Sequence, residues 1–169
     1  MARYIALLRA VNVGGTGKLP MSELKAMCVA AGFERVETYI ASGNVVFACQ
    51  ATERQAKAEL EARLLAHAGK PVGVMVRTAA AMEAVLPGNP FPHAAPSRTV
   101  AIFLHARPPA DTLDRISGRH NEELRAGRRE IYVHYPDGMG RSKLRIPAAR
   151  DGTARNMNTI ARLLAMART

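Results

Sequence analysis

No tryptophan occurs in this 169-residue sequence, and phenylalanine and tyrosine together make up only 5% of it. So few aromatics exclude the ring-stacking platform on which many sheet proteins hold RNA bases, and no RNP-like run is present. Tyr132 and Tyr135 differ by three positions and so point to opposite faces of a strand. Cysteine is scarce too. Cys28 and Cys49 are too few for a disulfide framework and read as small core residues of a cytoplasmic protein. No apolar run approaches the roughly 18 residues that cross a bilayer, and Met1 leads into a short strand-like segment without the apolar region of a signal peptide, so no membrane partner is expected. His67, His93, His105, His120 and His134 show no metal-ligand spacing, and neither a metal nor a cofactor is expected. Ser42, His134 and Asp137 make a hydrolytic triad only on paper, because no nucleophile-elbow context surrounds the serine.

Acidic residues are also in short supply, 14 against 24 Lys and Arg, for a net charge of +10. The imbalance is uneven. Residues 1–85 hold 10 basic and 7 acidic side chains, a net of +3, and residues 86–169 hold 14 and 7, a net of +7. Arg141, Lys143, Arg145, Arg150 and Arg155 face only Asp151, which makes the densest basic stretch. A field of this sign favours phosphates, nucleotides or nucleic acid; alternatively, arginine serves here as a generic solubilising cation.

What is present is a regular order of elements. Tyr4 to Leu8 reads as a buried strand, and Pro20 opens a helix with Met21, Leu24, Met27, Cys28 and Ala31 at helical spacing, closed by Gly32. Val36 to Ile40 and Asn44 to Phe47 flank Ser42-Gly43 as a hairpin. Thr52 and Gln55 have capping-box spacing before a helix ending near Gly69, and Val72 to Val76 forms the next strand. The pattern is β-α-β-β-α-β, a ferredoxin-like subdomain over residues 1–85 with helices on one face of an antiparallel sheet. After a short helix around Ala79 to Leu86, four prolines between Pro87 and Pro96 mark a connector, 86–97. Residues 98–169 then form a degenerate, basic copy. It comprises a strand Val100 to Leu104, a helix Asp111 to Ile116, a helical turn Asn121 to Arg125, strands Ile131 to Tyr135 and Ser142 to Ile146, and a helix from about Ala154 to Met166. The fold class expected is α+β, two ferredoxin-like subdomains with antiparallel sheets.

The segment Arg9 to Lys18 carries the most chemistry. Gly14, Gly15 and Gly17 are able to adopt positive φ and turn backbone N–H groups toward an anion, with Arg9 and Lys18 supplying charge and Asn12 a neutral donor. It is not a Walker loop, since Lys18 precedes Leu19 rather than Ser or Thr, and GxGxxG fails as well. The loop either touches a ligand or simply joins a strand to a helix. Ser42, Gly43 and Asn44 either suit the hairpin on backbone grounds alone or add neutral donors beside the loop. In the last helix Met157, Ile160 and Leu164 share one face, and Arg155, Thr159 and Arg162 the opposite one. Arg155 and Asn156 fall in its first turn, where a cation is unfavourable unless Asp151 or a ligand phosphate offsets it.

Three motifs in order, Ala6-Leu7-Leu8-Arg9-Ala10-Val11-Asn12-Val13-Gly14-Gly15, Thr38-Tyr39-Ile40-Ala41-Ser42-Gly43-Asn44-Val45-Val46-Phe47 and Thr153-Ala154-Arg155-Asn156-Met157-Asn158-Thr159, resemble the bacterial family called DUF1697. The resemblance implies an α+β protein with ferredoxin-like subdomains and lends no reaction, so no enzyme class is assigned. The positions it marks are Arg9, Asn12, Gly14 and Gly15; Ser42, Gly43 and Asn44; Ser142 and Lys143; and Arg155, Asn156 and Thr159. Ala10 stands where the family pattern usually has Gly, Ala41 where Gln is common, and Met157 where Trp is usual.

Together these features suggest a phosphorylated or other anionic small ligand between the Arg9 to Lys18 loop and the C-terminal basic segment, with Arg9, Asn12, Gly14, Gly15, Lys18, Ser42, Asn44, Ser142, Lys143, Arg155, Asn156 and Thr159 as candidate contacts. One alternative is non-specific nucleic-acid binding through the basic half. A third is a structural or oligomerisation module whose motifs serve turns and caps alone.

Overall fold

The computed structural model describes residues 1–12 and 18–169. The chain is a mixed α+β protein with two four-stranded antiparallel sheets and, among the described residues, four α-helices. It divides into two compact units, Met1–Glu83 with Arg162–Thr169, and Ala84–Ala161. No helix among the described residues is long and apolar enough to cross a membrane.

The first unit runs β1 (Ala2–Leu8), α1 (Met21–Ala30), β2 (Glu34–Thr38), β3 (Asn44–Cys49), α2 (Glu53–Ala68), β4 (Val74–Thr78) and α3 (Ala79–Glu83), with strand order β2-β3-β1-β4. Alternation on β1 sends Tyr4, Ala6 and Leu8 into one core with Leu24 and Cys28 of α1 and Ala56, Leu60 and Leu64 of α2. Phe33 stacks on Phe47 within it, ring centroids 4.3 Å apart. The capping box forms as the spacing requires: Gln55 N–H donates to Thr52 Oγ1 at 3.1 Å, and Thr52 N–H to Gln55 Oε1 at 2.9 Å. Gly69 ends α2 at φ +72°. Arg3 on β1 donates to the carbonyls of Met166 and Ala167, satisfying acceptors at the chain's last helical turn.

The second unit contains β5 (Thr99–Phe103), β6 (Glu123–Ala126), β7 (Glu130–His134), β8 (Thr153–Asn156) and the start of α4 (Met157–Ala167), with strand order β6-β7-β5-β8. Numbered from its own first strand, that is the order of the first sheet, second-third-first-fourth. The segment 85–91, entering the proline-rich stretch, is tied to β7: Tyr132 Oη donates to the Val85 carbonyl at 3.0 Å, and the Phe91 ring centroid sits 6.3 Å from that of His134.

Several local expectations change. The hairpin of β2 and β3 forms, but β2 ends at Thr38 rather than Ile40, so the turn spans Tyr39 to Gly43, with Ile40 at φ +48° and Gly43 at φ +92°. The expected helix over 111–116 is one 3-10 turn, Thr112–Arg115, and the expected helical turn over 121–125 opens strand β6 instead. Ser142 to Ile146 alternates exposed and half-buried residues as a strand would, yet it pairs only at Arg145 with Ser117. Leu144 and Ile146 point to the core there, which produces the alternation without a ladder. The last helix starts at Met157 rather than near Ala154, because Thr153–Asn156 pairs with β5.

Gly43 is required twice over. Its φ is left-handed, and a Cβ there would lie 2.7 Å from Val11 Cγ2 and 2.8 Å from Leu8 Cβ, whereas a Cβ on Gly69 would meet nothing within 4 Å. Gly43→Ala is therefore expected to cost about 3 kcal/mol and Gly69→Ala about 1 kcal/mol, measured by urea unfolding; equal costs would show that the close approach carries no energy.

Candidate functional site

Strand β1 ends at Leu8, where two neighbours fasten it: Leu8 N–H donates to the Gly43 carbonyl at 2.8 Å and Arg9 N–H to the Gly73 carbonyl at 2.9 Å. Because β4 pairs antiparallel with β1, with Val74 opposite Leu8, the segment after α2 arrives at this same sheet end. A cleft of about 550 Å³ opens between the β1–α1 and α2–β4 connections. Arg9, Lys18, His67 and Lys70 stand on it, all exposed. Among its described lining residues there is no carboxylate; Glu23, on α1, meets the His67 ring from outside the lining, Nε2 to Oε2 at 3.0 Å. The Arg9 stem runs beside Gly73, where an added Cβ would come within 3.3 Å of Arg9 Cβ.

Asn12 turns inward. Its Nδ2 donates to the carbonyls of Leu19 at 2.9 Å and Ala41 at 2.8 Å, and its Oδ1 accepts from Leu19 N–H at 2.6 Å. One amide thus holds both ends of the loop and the β2–β3 turn, at a φ of +56° that asparagine tolerates. Gly14 and Gly15 lie outside the described residues. Asn44 is buried, its Nδ2 donating to the Tyr39 carbonyl and to Ser42 Oγ, both at 2.9 Å. Ser42 and Asn44 therefore bind each other across the turn. Arg162 Cζ lies 5.8 Å from the Tyr39 ring centroid.

Ser142, Lys143, Arg155, Asn156 and Thr159 belong to the second unit. Arg155 is a strand residue and not part of a helical first turn, so the argument from a cation against the helix dipole does not apply to it. Its buried guanidinium donates to Thr153 Oγ1 and the Ala154 carbonyl, both at 2.9 Å, and burial pushes its pKa down to about 10. Asn156 caps α4, its Oδ1 accepting from Thr159 N–H at 2.9 Å; Thr159 itself is buried. Ser142 Oγ donates to Glu122 Oε2 and accepts from Leu144 N–H, and His120 N–H donates to Glu122 Oε1 at 2.6 Å. These bonds, led by the serine's, hold the Glu122 carboxyl down at about 2. Lys143 is exposed and shares a small cavity of about 210 Å³ with His120, Glu122, Asp137 and Arg141. Among the described residues no group of three or more His, Cys, Asp and Glu is arranged to hold a metal ion.

Sequence comparison decides the family. The family described as a protein of unknown function, DUF1697, matches residues 1–132. The chain belongs to DUF1697. Its structure is similar to that of the conserved bacterial protein SP0830 from Streptococcus pneumoniae, at 26% identity and a TM-score of 0.80 over 98% of each chain. No curated protein matches it.

Two departures from the usual DUF1697 pattern have a physical reading. Ala10 adopts φ +54°, a conformation in which the family's usual glycine is unstrained, so the alanine carries a cost at the mouth of the cleft. Met157 is buried and keeps an apolar position where tryptophan is usual. Ala41 offers its carbonyl to Asn12, a role its side chain does not affect.

Nothing in the sequence singles out His67 or Lys70 as a candidate, since each stands alone some fifty residues from the glycine-rich segment. The available signal was positional: Gly69 stops a helix and the following strand pairs beside β1, which returns 67–73 to Arg9. Glu122 carries no local signal, because its partner Ser142 lies 20 residues away.

Asn12→Ala, which removes three hydrogen bonds, is expected to cost about 3 kcal/mol in urea unfolding, and Asn12→Gly somewhat less, since glycine is unstrained at this φ; an Asn12→Gly variant as stable as wild type would show that the amide carries no energy. Glu122 has a folded pKa below its unfolded value, so its contribution is present above pH ~4.3 and is lost as pH falls toward 2. Ser142→Ala should therefore flatten the fall of the unfolding midpoint between pH 4.5 and 2 relative to wild type; an unchanged profile would show that the serine does not hold the carboxylate.

Proposed function

We propose that the protein binds a small oxyanion-bearing ligand in the cleft of its first unit, with Arg9, Lys18 and Lys70 supplying the charge and Asn12 acting as a positioning residue for the loop. The observation that carries this is the gathering of three cationic side chains from two separate connections around one cleft with no carboxylate among its described lining residues. Cations gathered from two connections around one partly enclosed cleft attract an anion, and each contact there is worth more than on an open surface. No reaction is assigned, because no nucleophile and base pair occurs among the cleft's described lining residues. The strand order β2-β3-β1-β4 with two helices on one face supports a ferredoxin-like first unit; the second keeps the order with 3-10 turns in place of the helices. Two buried free cysteines fit a cytoplasmic protein.

A second reading, a nucleic-acid surface on the second unit, draws on Arg141, Lys143, Arg145 and Arg150, all exposed along one segment. It requires affinity for duplex DNA that falls log-linearly with salt, at a slope near −0.9 per phosphate neutralised. Absence of binding at low salt removes it.

The cleft reading is tested with inorganic phosphate and methyl phosphate in calorimetric titrations at low ionic strength. Lys18→Ala and Lys70→Ala should each weaken binding about tenfold, the loss of one charged hydrogen bond, while Lys143→Ala leaves it unchanged. No binding by wild type, or an equal loss from Lys143→Ala, contradicts the proposal.

A further inference from the structure

Resting on that reading, we infer that the ligand is an alkyl oxyanion, a single aliphatic chain ending in a phosphate or similar head, and not a nucleotide. The cations occupy only part of the lining. Beside them the cleft is lined by Val11, Leu19 and Leu64, all buried side chains of the core, with Ala68, Pro71 and Val72 completing the apolar wall. A volume of about 550 Å³ lies in the range of clefts that enclose whole organic ligands and far exceeds what a bare oxyanion fills. Apart from the cations and His67, the described lining is aliphatic or backbone.

The kind of apolar wall matters. Planar bases are usually held by ring stacking, which contributes much of their affinity. No Phe, Tyr or Trp is among the described lining residues, and the His67 imidazole there is engaged by Glu23, Nε2 to Oε2 at 3.0 Å. A flexible hydrocarbon chain needs no ring and gains from each methylene it removes from water. Charge at one end and aliphatic surface at the other match an amphiphile whose two parts are joined in the same way.

The test is a calorimetric series at fixed ionic strength with the full chain, using inorganic phosphate, AMP, and ethyl, butyl, hexyl and octyl phosphate below their aggregation limits. Affinity is expected to climb about fourfold per methylene until the cleft is full, and AMP to bind no more tightly than ethyl phosphate. Ala68→Phe, at an exposed lining position, should weaken octyl phosphate binding at least tenfold more than inorganic phosphate binding. A series flat with chain length, or AMP tighter than octyl phosphate, overturns the alkyl assignment while phosphate binding still upholds the oxyanion site. Failure of inorganic phosphate and of every alkyl phosphate overturns both. Binding to phosphatidic acid vesicles without binding to soluble octyl phosphate also overturns this inference, since the chain would then stay in the bilayer.

Discussion

The side-chain amide of Asn12 is the contact on which the candidate site depends. A short side chain at the end of β1 pairs with both the N–H and the carbonyl of Leu19 and reaches the carbonyl of Ala41, and so joins the strand's exit, the helix's entrance and the neighbouring turn. Without it, Arg9 and Lys18 would be two surface cations on either side of a glycine-rich segment. With it, they are held to one side of a cleft whose other side, His67 to Gly73, is set by the pairing of β4 with β1. Gly43 completes the arrangement by letting the β2–β3 turn approach Leu8 and Val11 more closely than any side chain would allow.

The same economy explains why so many polar side chains of the three motifs point inward. Asn44 ties its own turn, Asn156 caps α4, and Arg155 is buried in a strand with its donors on Thr153 and Ala154. Each satisfies backbone or hydroxyl groups that the fold would otherwise leave unpaired, and unpaired buried polar groups cost more than their bonds return. What remains toward solvent at the end of β1 is charge from Arg9, Lys18 and Lys70 over an aliphatic floor.

Elements governed by local chemistry were legible in the sequence. Strand β1, the Thr52 capping box, the Gly69 stop and the apolar face of α4 through Met157, Ile160 and Leu164 all follow from residues within a turn or two of each other. The second unit was less legible for the complementary reason. Ser142 to Ile146 carries the alternation of a strand, but its only bridge is to Ser117, and nothing local distinguishes a core-facing loop from a paired strand. Ala154 and Arg155 suit a helix by local chemistry, but their pairing with Ile102 and Ala101 puts them in β8, and α4 starts at Met157. At the cleft, Arg9 and Lys18 were visible as charge beside glycines. His67 and Lys70 were not, because only the antiparallel return of β4 carries them there.

The most direct test of the whole account is where the ligand touches. In amide NMR spectra of the labelled chain titrated with octyl phosphate, the account requires the perturbed resonances to gather at Arg9 to Val11, Lys18 to Leu19 and His67 to Gly73. Shifts gathered instead at Gly118 to Lys143, or spread evenly over the arginines of both units, would contradict it.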